Sequence, residues 1–195
     1  QKAPVTLGHE FAGVVDDIGS KVTKFNKGDR VVINPTVSNR EKEENIDLYD
    51  GYSFIGLGSD GGFAELTNVP EENVYKLPDN VSDKEGALVE PMAVAVQAIK
   101  EGEVLFGDTV AIFGAGPIGL LTVIAAKAAG ASKIFVFDLS EERLNKAKAI
   151  GATHTINSGE SNPSDVINKH TDNGVDVAFE VAGVAPTLKS AIDVT

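Results

Sequence analysis

Short apolar runs alternate with longer segments of mixed polarity along the second half of the chain. The short runs predict β-strands at 110–113, 133–137, 153–156 and 175–181. The segments between them predict helices at 118–129, 141–150 and 164–170. Strand–helix alternation is typical of a parallel sheet with helices on its faces, so this half of the chain predicts an α/β fold.

The first half has a different pattern, in which short apolar runs are separated by turns that contain glycine. It predicts strands at 11–15 and 30–33 and further β character at 63–66. Ser82 and Glu85 form a candidate capping box at the start of a helix, and Pro91 predicts a break before a second helix at 93–100. The change of pattern near Gly107 predicts two domains, with limits at 1–106 and 107–195.

Composition narrows the possible functions. Acidic residues outnumber basic ones by 29 to 17, so this 195-residue chain has a formal net charge of −12. That charge argues against a nucleic-acid partner, because such a site needs a basic face. The sequence has no cysteine, which excludes disulfides, thiol nucleophiles and all-cysteine zinc sites within it. The strongly charged stretch 39–50 predicts a solvated loop or a short helix.

Two features concern location. The uncharged run 109–126 has the length of a candidate membrane helix, but three glycines and Pro117 interrupt it. A strand, a tight turn and a helix explain this run better, so we expect no membrane span. The chain begins with Gln1 and has no basic-then-apolar leader, so we expect a cytoplasmic protein. The missing initial Met also indicates a part of a longer protein.

A glycine-rich segment, Gly114-Ala115-Gly116-Pro117-Ile118-Gly119, matches the pattern G-x-G-x-x-G between a predicted strand and a predicted helix. In this pattern the first glycine permits a tight turn, the second lets a pyrophosphate approach the backbone, and the third allows close helix–strand packing. Asp138 ends the next predicted strand, where a carboxylate accepts hydrogen bonds from ribose hydroxyls and repels a 2′-phosphate. The segment therefore predicts NAD(H) binding, although Arg143 could reach a phosphate or the adenine. The alternative is that Asp138 only ends a strand and that Arg143 is solvated.

His9, Glu10 and Glu90 are candidate metal ligands by residue type, since zinc binds neutral imidazole and carboxylate groups. Neighbours on a strand point to opposite sides, so His9 and Glu10 could share an ion only on an irregular backbone. Glu90 follows an apolar segment, and a buried carboxylate needs a cation or another partner. The alternatives are a structural histidine and, for Glu90, a helix cap or a salt bridge. His154 and His170 lie in polar sequence and are predicted to be surface residues.

Several segments together resemble one family, the zinc-dependent medium-chain dehydrogenases, which include alcohol, sorbitol, threonine and butanediol dehydrogenases. The matching segments cover essentially the whole chain and occur in the family's order at 8–13, 28–31, 61–65, 90–95, 114–119 and 179–183. The pair Glu90–Pro91 is similar to the polyol and 2,3-butanediol branch, because classical alcohol dehydrogenases tend to have cysteine there.

The resemblance implies a GroES-like β-barrel portion followed by a partial Rossmann domain, which is a doubly wound parallel sheet. It implies one catalytic zinc, with His9, Glu10 and Glu90 at the ligand positions, and zinc acting as a Lewis acid on the alcohol oxygen. Hydride would pass between the carbinol carbon and the nicotinamide of NAD(H). The implied function is the interconversion of a secondary alcohol or vicinal diol and its ketone, with 2,3-butanediol and acetoin as the expected pair.

The resemblance also assigns the cofactor residues. The loop residues Gly114, Gly116, Pro117, Ile118 and Gly119 would bind the pyrophosphate. Asp138 and Arg143 would lie at the adenosine, and the turn at Val181, Ala182 and Gly183 would lie beside the nicotinamide. Relatives are commonly dimers or tetramers, so the resemblance implies a homodimer or homotetramer.

Some features depart from the family's pattern. The catalytic zinc cysteine would lie upstream of Gln1, and the structural zinc lobe would fall at 34–58, where no cysteine occurs. We therefore expect no structural zinc, an internal fragment of a longer enzyme, and an inactive or nearly inactive chain on its own. A sorbitol or other polyol dehydrogenase and a threonine dehydrogenase are the alternative activities. A zinc-free NAD(H)-binding module is the alternative of another class.

Overall fold

The computed structural model describes residues 3–38 and 52–195, so the charged stretch 39–50 lies outside the described residues. The chain divides into two compact units, Gln1–Glu90 and Pro91–Thr195. We refer to them as unit 1 and unit 2. Compactness does not define a functional domain, and the limits 1–106 and 107–195 therefore stay a prediction.

Unit 1 contains short antiparallel strands. Strand β1 (Ala12–Val14) pairs with β2 (Arg30–Ile33), and β3 (Thr36–Ser38) pairs with β4 (Tyr52–Phe54). Strand β5 (Val74–Lys76) pairs with the other edge of β2, which gives a sheet of order β1-β2-β5. The predicted strands at 11–15 and 30–33 are thus confirmed. One buried apolar cluster of this unit consists of Phe25, Val31, Ile33 and Ile55.

The predicted capping box starts helix α1 (Asp83–Ala87). The Ser82 hydroxyl oxygen accepts a hydrogen bond from the Glu85 N–H, and the Glu85 carboxylate accepts one from the Ser82 N–H at 2.8 Å. Two amides at the helix start, which would otherwise lack partners, are therefore satisfied by side chains.

Two predictions for unit 1 and its border were wrong. The break does not fall at Pro91, because helix α2 runs over Val89–Glu101 and Leu88 separates it from α1. Pro91 lies in the first turn of α2, where a missing N–H loses no helical hydrogen bond. Residues 63–66 form no strand, and Phe63 and Leu66 are 78% and 72% exposed.

Unit 2 shows the predicted alternation of strands and helices. Its elements are β6 (Thr109–Phe113), α3 (Pro117–Ala129), β7 (Lys133–Asp138), α4 (Glu141–Ile150), β8 (His154–Asn157), α5 (Pro163–Ile167), β9 (Val177–Glu180) and α6 (Ala185–Asp193). The four strands are parallel, in the order β8-β7-β6-β9. The run 109–126 is divided between β6 and α3, and no helix of the described residues is long and apolar enough to cross a membrane.

Both faces of this sheet are covered. Alternate residues of β6 and β7 belong to two separate apolar clusters, because successive side chains of a strand point to opposite faces. One cluster joins the sheet to α2, α3 and α4 through Ile112, Val136, Ala95, Val123 and Leu144. The other joins it to α5 and α6 through Phe113, Phe135, Ile167 and Ala191. This arrangement confirms the α/β class with a doubly wound parallel sheet.

Candidate metal and dinucleotide sites

An irregular backbone segment carries His9 and Glu10 ahead of β1. The Gly62 N–H donates a hydrogen bond of 2.8 Å to the Gly8 carbonyl oxygen. A Cβ added at Gly56 or Gly61 would come within 2.3 or 2.1 Å of that same oxygen. The glycine-rich stretch 56–62 thus lets the chain pack closely against the backbone on which His9 lies.

The structure brings together the three sequence-predicted ligand candidates. One ligand atom each of His9, Glu10 and Glu90 lies within 4.8 Å of the others. The His9 Nε2 atom is 3.9 Å from the Glu10 Oε1 atom, so the irregular backbone does allow neighbouring side chains to face one point. An imidazole and two carboxylates are a donor set suited to a divalent cation such as zinc.

The electrostatics of this cluster also suit a cation. Burial raises the pKa of Glu90 above its ordinary value, an imidazolium charge on His9 opposes that shift, and the nearby Glu10 carboxylate adds to it. Burial and a neighbouring like charge both disfavour an ionised carboxylate. A bound cation would compensate both effects.

The glycine loop between β6 and α3 has the geometry of a phosphate-binding turn. Gly114 has φ +108°, and a Cβ at Gly119 would lie 1.9 Å from the Gly114 carbonyl oxygen. A Cβ at Gly116 would meet no atom within 4 Å, so the space beside it is open to a ligand. Pro117 takes a first-turn position of α3 and Ile118 follows it. These contacts match the three glycine roles of the dinucleotide-binding pattern.

Three of the described helices, α3, α4 and α5, follow the strands β6, β7 and β8. Of these three, α3 has the N-terminus best suited to an anion. Its N-cap is Gly116, which makes no side-chain cap, and its first turn has no acidic residue. By contrast, α4 and α5 are capped by Ser140 and Asn162 and carry acidic residues in their first turns. A helix N-terminus without a competing carboxylate offers its amides and partial positive charge to a phosphate.

Asp138 lies at the end of β7, next to the glycine loop. Its carboxylate accepts hydrogen bonds from the Ala115 N–H at 2.7 Å and from the Ser140 N–H at 2.8 Å. The Asp138 side chain is only 9% exposed, whereas Arg143 is 57% exposed and its guanidinium lies 3.8 Å from the carboxylate. The acid is therefore fixed beside the loop and the arginine is mostly in solvent.

The predicted nicotinamide-side turn packs on the glycine loop. A Cβ at Gly114 would lie 3.0 Å from the Ala182 nitrogen, and one at Gly119 would lie 3.2 Å from a Val181 methyl group. Gly183 has φ +75°, which favours glycine. The structure thus brings together all the predicted residues of unit 2 at the carboxyl ends of β6, β7 and β9.

Comparison with known families defines the class of protein. Residues 1–79 match the alcohol dehydrogenase GroES-like domain, and residues 117–195 match the zinc-binding dehydrogenase domain. The fold is therefore a GroES-like portion followed by a Rossmann-type parallel sheet. The chain belongs to the zinc-dependent medium-chain dehydrogenase family.

The similar proteins include butanediol and polyol dehydrogenases. The chain is 45% identical to (R,R)-butanediol dehydrogenase of Bacillus subtilis, over 100% of this chain and 57% of that protein. It is 41% identical to sorbitol dehydrogenase of the same organism, over 97% of this chain and 55% of that protein. The chain therefore spans little more than half the length of these relatives.

Solved structures agree with this likeness. The crystal structure of 2R,3R-butanediol dehydrogenase from Bacillus subtilis superposes with a TM-score of 0.94 at 44% identity, over 100% of this chain and 56% of that one. A provisionally named zinc-binding dehydrogenase from Sinorhizobium meliloti 1021, bound to NADP, gives a TM-score of 0.93 at 34% identity, over 100% and 59%.

Proposed function

We propose that this chain is part of a zinc-dependent NAD(H) oxidoreductase that interconverts a secondary alcohol or vicinal diol and its ketone. The best-supported pair is 2,3-butanediol and acetoin. The observation that carries the proposal is the cluster of His9, Glu10 and Glu90 in a chain that also has an open glycine loop. The likeness to a butanediol dehydrogenase supports the substrate class.

In this proposal His9, Glu10 and Glu90 hold the catalytic zinc. When bound, zinc supplies Lewis-acid chemistry to the alcohol oxygen and favours loss of its proton. The neutral imidazole of His9 offers a lone pair, and the two carboxylates offset the charge of the cation. One catalytic zinc is proposed at these residues, and no structural zinc is proposed at 34–58, because that segment has no cysteine.

The cofactor proposed is NAD(H). The Asp138 carboxylate, held by the Ala115 and Ser140 amides, would accept hydrogen bonds from the adenosine ribose and repel a 2′-phosphate. The open space at Gly116 would receive the pyrophosphate at the N-terminus of α3. The turn at Val181–Gly183 would lie beside the nicotinamide half, and Arg143 would lie near the adenosine.

A polyol dehydrogenase is the second candidate, because the chain is nearly as similar to a sorbitol dehydrogenase. We further propose a cytoplasmic homodimer or homotetramer with a small-molecule substrate. Chromatography with light scattering on the gene product that carries this sequence would give its oligomeric state. A monomer would contradict that part of the proposal.

A substrate panel tests the activity. The gene product would be assayed with NAD+ and 2,3-butanediol, sorbitol or threonine, as wild type and as His9→Ala. We expect fastest turnover of butanediol and a loss of about a hundredfold or more in His9→Ala, because the loss of even an outer-shell partner of a metal typically costs about 10–100-fold and His9 is a proposed ligand. His170→Ala, which removes an exposed histidine elsewhere, should retain wild-type activity. Preference for sorbitol would favour the second candidate, and full activity in His9→Ala would contradict the proposed metal site.

A further inference from the structure

We propose that Glu180 is a positioning residue that sets NADH affinity by holding the turn at 181–184 against the glycine loop. This inference rests on the proposed dinucleotide function. Glu180 ends β9 and lies in the segment 179–183. The family resemblance places the turn of this segment beside the nicotinamide but gives Glu180 no role. Its hydrogen bonds supply that role.

The Glu180 carboxylate gathers the donors of the turn that follows it. Its Oε1 atom accepts hydrogen bonds from the Ala182 N–H at 2.9 Å, the Gly183 N–H at 3.0 Å and the Thr187 hydroxyl at 2.7 Å. The Oε2 atom has a longer contact of 3.3 Å with the Gly183 N–H. One carboxylate oxygen thus ties the turn and the first part of α6 to the end of β9.

The negative charge of the Glu180 carboxylate strengthens these hydrogen bonds. Hydrogen bonds from the Thr187 hydroxyl and from the Ala182 and Gly183 amides lower the pKa of Glu180, so the carboxylate stays ionised at neutral pH. Hydrogen bonds to an ionised acceptor are about twice as strong as neutral ones.

The turn lies close to the glycine loop. The Ala182 nitrogen and a Val181 methyl group lie 3.0 and 3.2 Å from the positions that a Cβ would take at Gly114 and Gly119, so only glycines leave room for the turn at these two places. Close-packed contacts transmit displacements instead of absorbing them. A turn released from Glu180 would therefore disturb both the nicotinamide side and the glycine loop.

Two substitutions at Glu180 distinguish the effect of its hydrogen-bond acceptor from the effect of its negative charge. Glu180→Ala removes the acceptor, and we expect the Kd for NADH to rise roughly tenfold or more. Glu180→Gln can place its amide oxygen where Oε1 lies and keep the three shorter hydrogen bonds, so its Kd should stay within about threefold of wild type. Asp193→Asn, which removes an exposed carboxylate at the last residue of α6, should leave the Kd unchanged.

The experiment is fluorescence titration of the gene product with NADH, together with hydrogen exchange of the Ala182 and Gly183 amides in the absence of NADH. We expect faster exchange of these amides in Glu180→Ala and near-normal exchange in Glu180→Gln. Wild-type affinity and exchange in Glu180→Ala, or an equal loss of affinity in both variants, would overturn the inference. A wild-type protein that binds no NADH but shows the expected exchange pattern would contradict the proposed dinucleotide function and leave the holding role of Glu180 standing.

Discussion

Single glycines determine the geometry of the candidate metal cluster. The Gly8 carbonyl oxygen lies too close for a Cβ at Gly56 or Gly61, and the Gly62 N–H donates a hydrogen bond to the same oxygen. The segment 56–62 is visibly glycine-rich in the sequence. The oxygen that requires the glycines belongs to a residue about fifty positions earlier, and it becomes evident only in the folded chain.

The first prediction concerns Gly61→Ala. The added methyl group would overlap the Gly8 carbonyl and displace the backbone of His9, so we expect bound zinc per chain to fall by at least half. Metal analysis after dialysis measures this. Gly13→Ala is the matched control, because a Cβ there meets nothing within 4 Å. Equal zinc in the two variants would show that close packing at Gly8 does not position the site.

A second residue-scale feature is His154, which was predicted to be a surface residue and is instead half-buried. Its ring stacks on Phe135 with a centroid distance of 4.5 Å, and the His170 ring lies 4.4 Å away. Burial lowers the pKa of His154, and the positive charges of His170 and Lys133 lower it further. The sequence placed His154 in polar surroundings because Phe135 lies on a different strand.

The second prediction follows from the sign of that shift. The unfolded chain binds a proton at His154 near the ordinary pKa of 6.5, whereas the folded chain resists it to lower pH. As far as His154 is concerned, the free energy of unfolding should therefore be at its full value above about pH 6.5 and should decrease as the pH falls below it. His154→Phe keeps an aromatic ring that can stack on Phe135 but cannot be protonated. In this variant the free energy of urea unfolding should decrease less steeply over this pH range. An unchanged slope would mean that His154 does not contribute.

At the scale of helices, strands and turns, the sequence-based predictions were correct where the interacting residues lie close together in one short segment. The Ser82–Glu85 capping box and the loop from Gly114 to Gly119 lie within a few residues and were predicted correctly. Pro91 misled because a proline in the first helical turn looks the same in sequence as one that ends a helix. The short strands β3, β4 and β5 and the terminal helix α6 were not predicted from the sequence.

The third prediction compares Gly116, the N-cap of α3, with Gly119 inside that helix. Gly116→Ala puts a methyl group into open space, so the free energy of unfolding should barely change, while NADH affinity should fall about tenfold because the pyrophosphate approach is filled. Gly119→Ala meets the Gly114 carbonyl and should lower the melting temperature even without NADH. Thermal unfolding with and without NADH distinguishes them. A Gly116→Ala protein with full NADH affinity would contradict the placement of the pyrophosphate.

At the scale of the whole molecule, the two units carry different halves of the proposed chemistry. Unit 1 holds the candidate ligands, which come from residues 9, 10 and 90, and unit 2 holds the dinucleotide loop. Residue type, and for Glu90 its place after an apolar segment, indicated the candidate ligands. The family resemblance grouped all three, because nothing local in the sequence places Glu90 beside His9. The folded chain does place them together, and that grouping makes metal binding the central claim.

The most direct test of that claim is the zinc content of the purified gene product, measured by mass spectrometry after dialysis against metal-free buffer. With one catalytic site, wild type should retain about one zinc per chain, and Glu90→Ala should retain much less, since the loss of even an outer-shell partner typically weakens a metal site about tenfold or more. His170→Ala should match wild type. Zinc near zero in the wild type, or equal zinc in wild type and Glu90→Ala, would contradict the metal site and favour a zinc-free NAD(H)-binding protein.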